Sequence, residues 1–209
     1  MSDTRDETVR AYDLDAVAYA EASPPAPASV RADMAALADR LGPGARVLEI
    51  GSGGGRDARL LEGLGLRVRR TDVTPAFVAL LREQGLAADL LDPLVDDLSS
   101  PEGSYDAVWA NASLLHVARA DLPTVLSRLA AVTREGGVLR ASLKEGDGEG
   151  WSTHGSISRA RHFTYWRADA LADALASAGW SDLEVRSGVP GSRGEAWLEV
   201  SAVRGSMLG

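Results

Sequence analysis

Arg46-Val47-Leu48-Glu49-Ile50-Gly51-Ser52-Gly53-Gly54-Gly55-Arg56-Asp57 is the stretch that decides the fold. Val47, Leu48 and Ile50 form a short apolar run that reads as a buried parallel strand. Gly51, Gly53, Gly54 and Gly55 then make a turn, and the periodic segment from Asp57 to Leu64 starts a helix. Strand, turn and helix N-terminus form a corner of the nucleotide-binding type. Bare backbone lets a ligand come close, and the amides at the helix start are expected to point at it. The dinucleotide fingerprint G-x-G-x-x-G fails, because Gly51 and Gly53 fit it and Arg56 stands where the third glycine belongs. The spacing that fits is Glu-x-Gly-x-Gly-x-Gly, on Glu49, Gly51, Gly53 and Gly55. An acid ahead of a loop without lysine is awkward beside a pyrophosphate and suits a cationic ligand.

With that spacing the chain resembles the class I S-adenosylmethionine-dependent methyltransferases, whose first motif has this form. The resemblance implies a Rossmann-like α/β fold: a seven-stranded, mostly parallel sheet ending in an antiparallel hairpin, with helices on both faces. It also implies S-adenosyl-L-methionine as cofactor, released as S-adenosyl-L-homocysteine. The first motif then assigns Glu49, Gly51, Ser52, Gly53, Gly55, Arg56 and Asp57 to cofactor binding. Asp72 ends the apparent second strand (Leu66 to Asp72) about 20 residues past the turn, where such folds place the carboxylate that grips ribose hydroxyls. Val73 goes with it. Asp89 and Asp92 are both candidates for the acid that receives the adenine amino group. Asp89 lies closer to the expected end of a third strand (Leu86 to Leu90), so Asp89 and Leu90 are favoured.

Tyr105 to Asn111 reads as the fourth strand. Ligands of open α/β sheets sit beyond the carboxyl ends of the strands, which puts Asn111, Ala112, Ser113 and His116 at the cleft. His116 is the leading general-base candidate, since imidazole titrates near neutrality; the alternative is a histidine that packs locally. The family's N-terminal portion folds over the cleft, so residues 1–41 are expected to cover it. Tyr19 is then a cofactor contact and Tyr12 a substrate contact, or both simply pack. Residues 42–204 form the methyltransferase domain, and 205–209 a tail.

Further along, a helix is expected over Pro75 to Gln84, with proline in its first turn. Another follows from Asp121 to Val132, and Val138 to Leu143 reads as the fifth strand. Lys144 to Ser158 reads as a long irregular stretch, a lid or a solvated loop. Its acids echo a calcium loop only superficially, because Ser156 stands where the bidentate glutamate belongs; no metal is expected. Lys144, Trp151, His154, His162 and Tyr165 are the remaining substrate-side candidates. Arg161 to Trp166 is an aromatic patch leading into a helix, and strands Leu183 to Arg186 and Ala196 to Val203 close the chain.

Composition sets outer limits. The 209 residues are 45% hydrophobic and 25% charged, ordinary for a globular protein. With no cysteine there is no disulfide frame or thiolate metal site, which fits a reducing cytoplasm. The polar start and the lack of a long apolar run speak against a signal peptide or membrane span. A net charge of -8 argues against nucleic acid as partner. The expected activity is therefore methyl transfer to an O or N atom of a small molecule, a natural product or metabolite. A peptide or protein carboxylate is the alternative acceptor, and a non-catalytic ligand-binding or interaction module the alternative class. Oligomeric state is open.

Overall fold

The computed structural model describes residues 3–153, 157–191 and 194–206. The chain opens with α1 (Asp3–Ala22) and α2 (Ala28–Leu41). It then alternates through β1 (Arg46–Ile50), α3 (Arg56–Gly63), β2 (Arg67–Asp72), α4 (Pro75–Glu83), β3 (Asp89–Leu90) and β4 (Tyr105–Asn111). A 3-10 turn at Leu114–His116 precedes α5 (Leu122–Val132) and β5 (Thr133–Glu145). The last part is β6 (Glu149–Ser152), β7 (Arg161–Trp166), α6 (Ala168–Ser177), β8 (Trp180–Pro190) and β9 (Ala196–Arg204).

Seven strands form the expected layer in the order β3-β2-β1-β4-β5-β9-β8, the first five parallel and β9 antiparallel to both of its neighbours, β5 and β8. Apolar residues cover both faces. Leu48, Val108 and Leu139 pack with Leu126 and Leu129 of α5 and Leu171 and Leu175 of α6. Val47, Ala107 and Val138 pack with Met34 and Leu37 of α2 and Leu61 of α3. Leu48, Leu37 and Leu139 are fully buried, each contributing about 2 kcal/mol by removal from water.

Two parts of the chain differ from expectation. Lys144 to Ser158 is not one irregular stretch: β5 runs on to Glu145, and β6 pairs antiparallel with β7. The aromatic patch at Arg161 to Trp166 is itself a strand. β7 joins β5 only at Lys144 and Glu145, beyond the last β4 rung at Asn111 and Ser142. It therefore roofs the carboxyl end of β4. Five of its six residues are buried, so it lacks the alternation that marks a half-exposed strand.

The second difference is at the N-terminus. Residues 1–41 were expected to cover the cleft together, and they form two helices, the first unbroken from Asp3 to Ala22. Of these two helices α1 lines the cleft, whereas α2 lies on the sheet face that carries α3.

Candidate active site

β1, the glycine turn and α3 build the floor. Gly51 and Gly53 have φ of 78° and 51°, values an L side chain rarely adopts. A Cβ on Gly51 would stand 2.5 Å from the Cβ of Ser113, so this glycine lets the first and fourth strand ends meet. Three of the turn's amides are held within the protein. Those of Gly51 and Ser52 both donate to the Thr71 carbonyl at 2.9 Å, and that of Gly53 donates to Asp72 Oδ2 at 2.8 Å. What the turn presents is close, uncluttered backbone.

Asp72 is the keystone of this floor. Its second oxygen, Oδ1, accepts the Thr74 amide at 2.8 Å, so one carboxylate ties the glycine turn to the start of α4. Burial raises its pKa above the ordinary carboxylate range, against the pull of these amides. The Thr74 hydroxyl and the Val73 amide oppose that rise as further partners of the carboxylate. Glu49 lies deeper, with Oε2 accepting from the Ser52 hydroxyl. Burial pushes it up to about 7, with Asp57 and Asp72 adding to the effect and Ser52 and Arg70 opposing it.

Above this floor runs a cleft of about 430 Å³. Of the expected residues, Tyr12, Tyr19, Gly51, Gly53, Asp72, Val73, Ala112, Ser113 and His116 line it together. Tyr12, Tyr19 and Phe77 make an aromatic group with centroids 5.4 to 6.0 Å apart, and Tyr19 approaches Gly53. The Ser113 hydroxyl is buried without a hydrogen-bond partner.

Other expected residues stand elsewhere. Asp89 faces Arg69, whose Nε donates to it at 2.7 Å, and Leu90 is exposed. Asp92 lines the cleft instead, paired with Arg5 of α1 at 2.5 Å. Asp57 works under the turn: its Oδ2 accepts from Trp109 Nε1 at 3.0 Å and Asn111 Nδ2 at 2.8 Å, and its Oδ1 from Arg56 at 2.7 Å. Asn111 is thereby turned to the far face of the sheet, where it lines a separate hollow with Arg140 and Ser142. Glu49 and Ser52 hold the turn from within, and Gly55 is the left-handed residue at the start of α3.

On the substrate side, Lys144 is buried with Nζ 3.7 Å from the Phe163 ring centroid. Trp151 is half-exposed on β6 with its edge toward His162, and Tyr165 packs near Gly146. None of these three lines the cleft. His162 contributes backbone, donating its amide to Thr8 Oγ1 at 2.9 Å and accepting from His116 through its carbonyl. His154 lies outside the described residues.

His116 departs most from its expected role. Its Nδ1 is 2.7 Å from the His162 carbonyl, which can only accept, so Nδ1 carries the proton. Nε2 then accepts from the Tyr12 hydroxyl at 2.9 Å, and Arg161 Nη1 donates to the same Tyr12 oxygen at 3.3 Å. Burial brings His116 down to about 3 despite the His162 carbonyl, with Arg161, Lys144 and His162 lowering it further. Burial likewise pushes Tyr12 up to about 12. A neutral imidazole with both nitrogens engaged fixes Tyr12.

Sequence reasoning missed Arg5, Thr8 and Val9 of α1, Phe77 of α4, and Leu94, Val117 and Asp121, all of which line the cleft. The signal for α1 was its helical recurrence at Arg5, Thr8, Tyr12 and Tyr19.

The comparisons with known proteins bear on the domain and the fold. The family described as "Methyltransferase domain" matches residues 48–141. The ubiquinone biosynthesis O-methyltransferase of Xanthomonas campestris pv. campestris (strain B100) is 35% identical over 102 residues, 46% of this chain. The match spans only 42% of that relative's length. The fold is shared with Burkholderia thailandensis 1,6-didemethyltoxoflavin-N1-methyltransferase, solved with 1,6-didemethyltoxoflavin and S-adenosylhomocysteine. That TM-score is 0.71 at 23% identity, covering 97% of this chain and 91% of the other. DhpI in complex with S-adenosylhomocysteine gives 0.72 at 23% identity, covering 97% of each chain.

Proposed function

We propose that this chain is a class I S-adenosylmethionine-dependent methyltransferase that methylates an O or N atom of a small molecule, a reading its matched domain and its fold support. The observation that carries this reading is the closure of the Glu49–Gly55 turn onto Asp72 beneath a largely apolar cleft. Gly51 and Gly53 would receive the amino acid end of the cofactor, Asp72 the ribose and Asp92 the adenine. The orphaned Ser113 hydroxyl fits such a ligand.

Bound there, S-adenosylmethionine supplies a methyl group already activated on a sulfonium. What remains for the protein is to orient the acceptor and keep water out. α1 closes the cleft through Arg5 on Asp92, Thr8 on His162 and Tyr12 on His116. Tyr12, locked by His116 and Arg161, stands on the acceptor side. A cleft of about 430 Å³ under a helix suits a small molecule better than a peptide end. Among the described residues no helix is long and apolar enough to cross a membrane; the cysteine-free composition supports action in the cytoplasm.

The test is transfer from a deuterated-methyl donor into a small-metabolite pool, read by mass shift. Binding of the donor without any transfer would favour a non-catalytic module instead.

A further inference from the structure

Resting on the methyl-transfer reading, we infer that Ser142 is a positioning residue for the donor's amino acid end. It acts from the opposite face of the sheet, by holding Ala112 and Ser113 in place against Gly51. The need for such a device lies in the backbone. Ala112 follows the last residue of β4 at φ 54°, a left-handed conformation that a residue with a Cβ rarely adopts. Strain of this kind persists only where the surroundings over-determine it. The kink leads the chain out of the sheet into the 3-10 turn at Leu114–His116. It also brings Ser113 to Gly51, where a Cβ on the glycine would stand 2.5 Å from that of Ser113. Gly51, Ala112 and Ser113 all line the cleft.

The restraint on Ala112 is a hydrogen-bond chain whose direction is set at one end. The Asp57 carboxylate accepts only. Its Oδ2 takes Asn111 Nδ2 at 2.8 Å and Trp109 Nε1 at 3.0 Å, and its Oδ1 takes Arg56 Nε at 2.7 Å. The Asn111 amide is therefore oriented with its NH2 toward Asp57, which leaves Oδ1 to accept the Ser142 hydroxyl at 2.6 Å. A hydroxyl has one hydrogen, and Ser142 donates it there. Its oxygen then has lone pairs to offer, and it accepts the Ala112 amide at 2.9 Å. Holding that N–H holds the whole planar peptide between Asn111 and Ala112, and with it the entry to the kink. Asn111 and Ser142 are paired rungs of β4 and β5, and Asp57 lies in the first turn of α3, just after the glycine turn. Three side chains thus tie the glycine turn to the end of β4 from beneath.

The chain bears on one end of the ligand. Gly51 and Gly53 are the proposed seat of the amino acid end, and Asp72 and Asp92 serve the nucleoside. Asp72 takes the Gly53 and Thr74 amides, and Asp92 takes the Leu94 amide and Arg5. None of these bonds belongs to the Ser142 chain. Loosening Ala112 therefore disturbs the amino acid end and leaves the nucleoside contacts standing, a selectivity that a general loss of stability does not produce.

The test uses the full chain with S-adenosylhomocysteine and with 5′-methylthioadenosine, which keeps the nucleoside and the sulfur and lacks the amino acid end. If wild type does not bind S-adenosylhomocysteine in calorimetry, the methyl-transfer reading fails and this inference with it. If it binds, Ser142→Ala should weaken S-adenosylhomocysteine about tenfold and 5′-methylthioadenosine by no more than about twofold. Ser142→Thr should restore the affinity, because it keeps the hydroxyl and the hollow of about 140 Å³ that Ser142 borders leaves room for a methyl. Asn111→Ala frees the Ser142 hydroxyl to turn and should show the same selective loss; it carries the test if Ser142→Ala does not fold. Equal weakening of both ligands, or unchanged S-adenosylhomocysteine affinity, overturns the inference and leaves the methyl-transfer reading standing. If 5′-methylthioadenosine gives no heat with wild type, the rescue decides. A Ser142→Thr chain that binds S-adenosylhomocysteine no better than Ser142→Ala then overturns the inference.

Discussion

Asp72→Ala separates the structural and ligand-binding duties of the floor, and its cost follows from the geometry. The carboxylate accepts two backbone amides, Gly53 and Thr74, each at 2.8 Å, in a buried place. Alanine orphans both. A buried donor left unpaired costs roughly 1–3 kcal/mol, giving ~2–6 kcal/mol. Relief of the carboxylate's own burial penalty, visible in its raised pKa, offsets part of this. A net loss of ~2–4 kcal/mol lowers Tm by ~4–16 °C at this chain length. Asp72→Asn keeps one amide–oxygen contact and sets its NH2 against the other amide, so it should lose about half as much and stay folded. Ligand binding should fail in both variants, because the hydrogen bonds expected from the ribose to a charged acceptor are each worth roughly 1.5–3 kcal/mol. The assay is thermal melting with and without S-adenosylhomocysteine. Saturating ligand should raise the wild-type Tm, with ~2.7 kcal/mol of stabilisation at 100 times Kd, and should not move Asp72→Asn. The reasoning is refuted if Asp72→Ala melts within a degree of wild type, or if Asp72→Asn keeps the full ligand shift.

Three other perturbations probe neighbouring parts. Gly51→Ala combines a left-handed φ, costing ~1–2 kcal/mol, with overlap against Ser113, costing ~1–3 kcal/mol; a denaturant titration should show a loss of ~2–5 kcal/mol. Ser142→Ala removes the hydroxyl that accepts the Ala112 amide at 2.9 Å and donates to Asn111 at 2.6 Å. Ala112 sits at φ 54°, so this should cost ~1–3 kcal/mol in melting and weaken ligand binding through the displaced Ser113. Glu49 makes stability fall with pH. Its pKa rises from 4.5 to about 7 on folding, so the folded state is favoured below pH 4.5 and loses ~3 kcal/mol as pH climbs through 7. Glu49→Gln should flatten that slope and be the more stable form at pH 8; an unchanged slope would show that Glu49 ionises freely.

Much of this was legible because a few segments carry strong local chemistry. The apolar run ending in Gly51, the Tyr105–Asn111 strand and the proline-led start of α4 at Pro75 are specified by their own residues. α1 was harder because its buried stripe consists of Thr8, Ala11 and Ala16, while the larger Leu14 and Val17 are 59% and 56% exposed. An apolar-periodicity reading weights the wrong face. Asp89 was favoured over Asp92 for its closeness to the strand end. β3 has only two residues, however, and its pleat turns Asp89 toward Arg69 while the chain beyond swings Asp92 into the cleft. The fate of His116 depends on Tyr12 and His162, which lie 104 and 46 residues away in sequence. No local pattern records such a meeting.

The central claim is that the turn at Gly51 to Gly55, with Asp72, receives a sulfonium nucleoside in a cleft closed by α1. Calorimetric titration of the purified chain with S-adenosylmethionine, S-adenosylhomocysteine, NAD and ATP tests it most directly. Saturable one-to-one binding of the first two, and none of the last two, is the expected result. Saturable binding of NAD or ATP with no heat from either sulfur nucleoside would contradict it.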